Sequence, residues 1–177
     1  NHAALRERLK AKGRECVSDT DTEVIVHLIE RAIASEGALL PAVQTVLPQL
    51  QGAYALAIVD REAPDTVIVA RQGSPLVLGV GIGENFAGSD TLALRSVTDT
   101  FIYLEDGDVA ELTADRYRIF NSAGEVTKRT PTRLALQAEE EGLGEHEHFM
   151  LKEIFEQPAR LRDTVDQGSA TDQAFGA

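Results

Sequence analysis

Short apolar segments separated by turns dominate the chain after Gly52. Seven of them have the composition of β-strands: residues 53–59, 66–70, 76–80, 84–88, 100–104, 109–112 and 116–120. Most connections between them are too short for a parallel crossover, which takes a dozen or more residues. We therefore predict antiparallel sheets. The first segment is continuously apolar, which predicts a strand covered on both faces.

Three alternating glycines lie between two of these segments, at Gly79, Gly81 and Gly83. Their spacing is similar to part of a nucleotide-binding loop, but that loop must be followed by a helix. Because another strand-like segment follows here, the glycines predict a β-hairpin.

Residues 18–23 are polar and directly precede an apolar run with helical spacing. This predicts an amphipathic helix from Thr20 to about Glu36, with a capping box between Thr20 and Glu23. Asp21 then occupies the first helical position. Its carboxylate has two interpretations: a favourable charge at the positive end of the helix, or a partner for a cationic ligand group. A second helix is predicted near residues 41–52, and helices preceding strands indicate α+β layers.

Composition limits the function classes. The net charge of −12 and the pI of about 4.7 argue against binding to phosphate backbones. No apolar run approaches the roughly 20 residues that a membrane helix needs. The single cysteine, Cys16, excludes an internal disulfide and is typical of a reducing compartment. We therefore predict a cytoplasmic protein without nucleic-acid or membrane partners.

Four residues are of a type that could carry chemistry. Cys16 has no helix N-terminus or strongly cationic surroundings to activate a thiol, so we do not predict a nucleophile there. His27 lies beside the apolar face of the predicted helix and is interpreted as a packed residue rather than a metal ligand. His146 and His148 could ligate a metal from one side of a strand, but no third ligand is near them in sequence. We predict neither a metal nor a cofactor.

The character of the chain changes after Gly124. Residues 139–145 are acidic and contain two glycines, which is typical of a linker. We therefore divide the chain into residues 1–124, a linker at 125–148 and a second region at 149–177. That region begins with a predicted amphipathic helix.

Seven sequence blocks resemble, in order, those of the glucosamine-6-phosphate synthase family, the isomerising glutamine:fructose-6-phosphate aminotransferases. The resemblance covers about residues 1–165. The blocks are Asn1-His2-x-x-Leu5-Arg6, Ser18-x-Thr20-Asp21-Thr22-Glu23-Val24, Gly52-Ala53-Tyr54-Ala55, Ala70-Arg71-x-Gly73-Ser74-Pro75-Leu76-Val77, Ser89-Asp90, Leu104-Glu105-Asp106-Gly107-Asp108 and Met150-x-Lys152-Glu153-Ile154-x-Glu156-Gln157-Pro158.

The resemblance implies an N-terminal-nucleophile hydrolase fold with αββα layers, here without its N-terminal portion. Family members hydrolyse glutamine with an N-terminal cysteine and pass the ammonia to fructose 6-phosphate. Asp21 matches the family aspartate that binds the α-ammonium of glutamine. Residues 1–124 would be the second part of a class II glutaminase domain, and residues 149–177 would begin the sugar-isomerase half. We also expect the full-length protein to be a homo-oligomer.

The chain departs from the family pattern in what it lacks. The nucleophilic cysteine and the oxyanion-hole residues are expected upstream of Asn1, so no catalytic residue is assigned in this chain, and we expect it to be inactive alone. Cys16 falls where the family needs no cysteine. Two alternatives stay open: a non-catalytic scaffold with the same fold, and a glutaminase of this class with a different acceptor.

Overall fold

The computed structural model describes residues 2–134, 146–148, 150–158 and 161–162. The chain forms two compact units, Asn1–Leu136 and Gln137–Ala177. In the second unit, residues 150–158 and 161–162 are helical, which confirms the helix predicted there. The acidic segment at 139–145 and the tail at 166–177 lie outside the described residues.

Three α-helices precede the sheets: α1 (His2–Lys10), α2 (Asp21–Glu36) and α3 (Leu39–Val46), the last continuing as a 3-10 turn at Leu47–Gln49. The predicted long helix is therefore confirmed. Helix α2 ends at Glu36 and is capped by Gly37, whose φ of 78° lies in the left-handed region that glycine adopts without strain. No helix in the described part of the chain has the length and apolar character needed to span a membrane.

The strands form two antiparallel sheets, as the short connections predict. In chain order they are β1 (Tyr54–Asp60), β2 (Ala63–Gln72), β3 (Val77–Val80), β4 (Asn85–Gly88), β5 (Thr100–Tyr103), β6 (Val109–Leu112), β7 (Tyr117–Phe120), β8 (Val126–Thr127) and β9 (Thr132–Arg133). One sheet has the order β1-β2-β6-β7-β8 and the other β4-β3-β5-β9. The alternating glycines lie at the β3–β4 hairpin, as predicted.

Strands β8 and β9 lie within the segment expected to be a linker. β8 pairs with β7 in the first sheet, and β9 pairs with β5 in the second. Each has only two paired residues, which is too short for an alternating pattern to be visible in the sequence. The first compact unit therefore extends to Leu136, beyond the expected boundary at Gly124.

Apolar residues fill the space on both sides of the five-stranded sheet. On one side, Ile68 and Phe120 of this sheet pack with Ile29 of α2 and Val43 of α3. On the other side, its residues pack with those of the four-stranded sheet in a second cluster: Val69, Leu76, Leu78, Ile102, Leu104, Ala110, Leu112 and Ile119. The layers of the first unit thus follow the order helices, sheet, sheet.

Strand β1 contradicts the prediction that it is covered on both faces. It is an edge strand of the described sheet, and its residues alternate between partly buried and exposed. Leu56 and Ile58 pack toward the helices, whereas Val59 on the other face is 63% exposed. The small side chains of Ala55 and Ala57 hide this alternation in the sequence, because alanine counts as apolar on either face.

The chain passes between the two sheets at three connections, β2–β3, β5–β6 and β8–β9, and Asp108 links residues at all three. Asp108 lies in the β5–β6 connection, and its side chain is 1% exposed. Arg129, in the β8–β9 connection, donates from Nε at 2.9 Å and from a terminal nitrogen at 2.8 Å to the two carboxylate oxygens. Arg71, near the end of β2, donates its amide to the Asp108 carbonyl at 3.1 Å.

We expect Asp108→Asn to lower the free energy of unfolding by about 3 kcal/mol, because removing one member of a buried ion pair leaves the other without its counter-charge. The loss stays near the lower end of the usual range since Arg129 also contacts Glu105 at 2.9 Å. Urea denaturation of the full chain measures it. The exposed Asp115→Asn is the control, with an expected change within about 0.5 kcal/mol. Equal stabilities for the two variants would contradict this role of Asp108.

Candidate functional site

Asp21 lies at the first position of α2, on the wall of a small recess between α1, α2 and the start of β1. The recess has a volume of about 80 Å³. Its polar lining comes from His2, Asp21, Gln51 and Tyr54. Ligand pockets for small molecules usually measure about 300–1,000 Å³, so these residues can contact only one end of a ligand the size of an amino acid.

Asp21 is exposed, and its Oδ1 accepts a long hydrogen bond of 3.5 Å from the Thr22 hydroxyl. An exposed carboxylate of this kind can accept charge-assisted hydrogen bonds from a cationic group. Tyr54 faces the same recess, and partial burial raises the pKa of its phenol. It therefore remains a neutral hydroxyl at physiological pH. The recess thus combines the carboxylate of Asp21 with the hydroxyl of Tyr54 and the amide of Gln51.

The loop preceding Asp21 is fastened from two sides. Arg6 of α1 donates to the Ser18 carbonyl at 2.8 Å and to the Thr20 carbonyl at 2.9 Å. Glu23 accepts from the amides of Val17 and Ser18, both at 2.7 Å, and from the Ser18 hydroxyl at 2.6 Å. Carbonyls and amides of the loop are therefore both satisfied, which fixes the position of Asp21.

These contacts correct the predicted capping box. Thr20 is the N-cap residue, but its side chain makes no capping hydrogen bond to the helix. It shares a 2.8 Å hydrogen bond with the Ser18 hydroxyl instead. Glu23 binds residues 17 and 18 rather than the Thr20 amide, because the loop folds back over the first turn of α2.

Glu23 is strongly acidic in this setting. The Ser18 hydroxyl, followed by the two loop amides, lowers the pKa of Glu23 from 4.5 to about 2. All of these donors favour the ionised carboxylate. Glu23 is therefore an anion throughout the physiological range.

Cys16 and His27 belong to the first compact unit but do not line the recess. Cys16 lies in a segment that is neither helix nor strand. His27 is partly buried on α2, as predicted, between Glu23 and Glu30. Cys16, Glu23 and His27 form a group able to hold a metal ion, the one such group in the described ranges. His146 stacks on Phe155 with ring centroids 5.4 Å apart.

Sequence reasoning missed Arg6, Glu23 and Tyr54 as parts of this site. The partners of Arg6 are backbone carbonyls 12 and 14 residues away, and no periodicity reveals such contacts. A weak signal exists for all three, because each belongs to one of the blocks that carry the resemblance. Three of those blocks meet at the recess through His2, Asp21 and Tyr54.

The family profile described as "Glutamine amidotransferase domain" matches residues 1–96. The chain therefore belongs to the glutamine amidotransferase family. This places the recess, Asp21 and the fastened loop within the matched domain.

Curated relatives are similar over nearly the whole chain. Identity is 47% over 180 residues with the proteins of Idiomarina loihiensis and Pseudomonas aeruginosa, covering 99% of this chain, and 48% over 165 residues with that of Escherichia coli K12, covering 93%. All three are named glutamine–fructose-6-phosphate aminotransferase [isomerizing]. The chain spans 27–30% of the length of these relatives, and the resemblance to this family is confirmed.

We expect Glu23→Gln to destabilise the chain at neutral pH, because an NH₂ donor replaces one of two oxygens that face N–H and O–H donors. The folded-state pKa of about 2 lies below the ordinary 4.5, so the contribution of Glu23 is full above about pH 4.5 and is lost as the pH falls toward 2.

Urea denaturation between pH 7 and pH 2.5 in metal-free buffer measures this difference. The gap in unfolding free energy between wild type and Glu23→Gln should narrow across the acidic range. The exposed Glu7→Gln serves as the control and should differ little from wild type throughout. A gap that is constant with pH would show that the ionised Glu23 does not hold the loop.

Proposed function

We propose that this chain is part of an enzyme that hydrolyses glutamine and delivers the ammonia to fructose 6-phosphate, forming glucosamine 6-phosphate. The observation that carries the proposal is the match of 93–99% of the chain to relatives that share this name. The full-length protein would be a cytoplasmic homo-oligomer, and the chain would supply part of its glutaminase half.

The layer order supports an N-terminal-nucleophile hydrolase fold for that half. Antiparallel sheets stacked face to face, with helices on one outer side, are three of the four layers that such a fold requires. In this proposal residues 1–124 contribute to glutamine hydrolysis and residues 149–177 begin the isomerase half. The segment at 125–148 joins them, and its strands β8 and β9 complete the sheets of the first part.

Asp21 would bind the α-ammonium of glutamine. Its exposure, its place on the recess and the fastening of its loop by Arg6 and Glu23 all support this role. A carboxylate held in this way needs little reordering on binding, so more of the charge-assisted hydrogen bond contributes to affinity. Tyr54 would form a wall of the recess beside the substrate. No residue of the chain is assigned to attack the amide.

We expect Asp21→Asn in the full-length protein to lower kcat/KM for glutamine at least tenfold, equivalent to about 1.4 kcal/mol. The substitution keeps the shape but removes the charge that pairs with the ammonium. Glutamine-dependent glucosamine 6-phosphate synthesis measures the effect.

Asp19→Asn, in the same loop, is the matched control and should leave kcat/KM near the wild-type value. Thermal stability should change little in both variants, because Arg6 and Glu23 still hold the loop. Normal kinetics combined with a destabilised Asp21→Asn protein would assign Asp21 to the helix start alone.

The 177-residue chain by itself should release no glutamate from glutamine, because amide hydrolysis of this class needs a positioned nucleophile. A coupled glutamate assay with purified chain tests this, with the full-length protein as the positive control. Activity that persists in Cys16→Ala after repurification would mean that the chain holds a nucleophile other than Cys16.

A further inference from the structure

Three different metal-ligating side chains converge where the segment before α2 passes the first turns of that helix. They are Cys16, Glu23 and His27, and their ligand atoms all lie within 4.8 Å of one another. Glu23 and His27 are one helical turn apart, so both side chains lie on the same face of α2. Their side chains are only 16% and 17% exposed.

The distance between the two helical ligands suits a shared ion better than a direct hydrogen bond. His27 Nε2 lies 3.4 Å from Glu23 Oε1. A hydrogen bond between these atoms would normally measure about 2.7–3.2 Å. In a tetrahedral zinc site with bonds of about 2.0–2.1 Å, two such ligands lie roughly 3.3–3.4 Å apart. The side chains thus need almost no movement relative to each other.

Cys16 can complete the set with a small shift. A zinc–sulfur bond of about 2.3 Å puts the sulfur roughly 3.6 Å from the other ligand atoms, so the thiol must approach by at most on the order of 1 Å. Cys16 lies in a segment that is neither helix nor strand, and a rotation of its side chain about χ1 moves the sulfur by this amount while the hydrogen bond of the neighbouring Val17 amide stays in place. Glu23 Oε1 already accepts one hydrogen bond, from Val17, and a carboxylate oxygen has a second lone pair for an ion.

A separate observation concerns Nδ1, the second ring nitrogen of His27. Nδ1 is buried and has no hydrogen-bond partner, although Glu30 Oε2 lies 3.5 Å away. Arg14 holds Glu30 in place through an ion pair and lowers its pKa. A metal ion on Nε2 would fix the proton on Nδ1, which could then be donated to Glu30. Metal-bound histidines usually donate this second N–H to a carboxylate, a backbone carbonyl or a water molecule.

We propose that Cys16, Glu23 and His27 bind one Zn²⁺ ion, with a water molecule at the fourth position. A thiolate and a carboxylate balance the charge of the ion, and the thiolate excludes Mg²⁺ and Ca²⁺ as the preferred occupants. The ion joins the segment before α2 to the helix itself. It therefore stabilises the loop that Glu23 already holds, next to Asp21.

Titration of the full metal-free chain with ZnCl₂ in a calorimeter tests the proposal, with MgCl₂ as the comparison. We expect one Zn²⁺ per chain and no Mg²⁺ binding under the same conditions. CoCl₂ should give the near-ultraviolet charge-transfer band of a cobalt–thiolate bond and the intense visible bands of tetrahedral coordination. Zn²⁺ should also raise the Tm, since it binds the folded chain.

Substitutions test which residues bind the Zn²⁺ ion. Glu30→Gln should weaken Zn²⁺ binding about 10–100-fold, as for other partners of metal-bound histidines. Cys16→Ser and His27→Gln should weaken it further, and Cys16→Ser should also remove the charge-transfer band. The double variant His146→Gln/His148→Gln is the matched control and should bind Zn²⁺ normally. Circular dichroism confirms that each variant is folded.

Three results would overturn the proposal: no Zn²⁺ binding by the wild-type chain, binding unaffected by Cys16→Ser, or binding lost in the His146/His148 double variant. The cobalt spectrum of the wild-type chain decides the matter even if a variant fails to fold, because a spectrum without the thiolate band excludes Cys16 as a ligand.

Discussion

The buried carboxylate of Asp108 is the contact on which the arrangement of the two sheets depends. This carboxylate accepts two hydrogen bonds from Arg129, and the backbone carbonyl of Asp108 accepts a hydrogen bond from the Arg71 amide. Since these residues lie at the three connections between the sheets, one polar cluster fixes the entry and exit of the chain at each crossing. The apolar core between the sheets is non-directional, so it cannot set these crossing points by itself.

Five of the seven blocks that carry the family resemblance gather at two places in the fold. One set, containing Arg71, Gly73 and Asp108, builds the polar cluster at the connections between the two sheets. There Asp106 also accepts a hydrogen bond from the Gly73 amide at 3.0 Å. The other set, which includes Asp21, surrounds the recess. The first set therefore serves the architecture, while the second serves the site that we propose for glutamine. A resemblance in sequence does not separate these two roles, and the contacts do.

Periodicity and turn length are sufficient to predict α2, seven of the strands and their antiparallel pairing. These sequence signals fail where a structural feature depends on contacts with residues that are distant in the sequence. The exposure of β1 depends on what lies beside the sheet, and the two-residue strands β8 and β9 depend on partners distant in sequence. In the site, the sequence indicates Asp21 as an extra carboxylate, but the fastening of its loop by Arg6 requires the packing of α1 on α2.

The strand order also sets the time at which the first sheet can form during synthesis. β2 pairs with β6, and the whole β3–β5 segment is translated between them. At about 5–20 residues per second, these roughly 40 residues take on the order of 2–8 seconds. Throughout that interval the β1–β2 hairpin has an open edge on the β6 side, and its apolar residues Ile68 and Val69 lack their final partners. Until β6 is synthesised, the nascent hairpin therefore exposes an unpaired apolar strand edge, a kind of surface that is prone to aggregation.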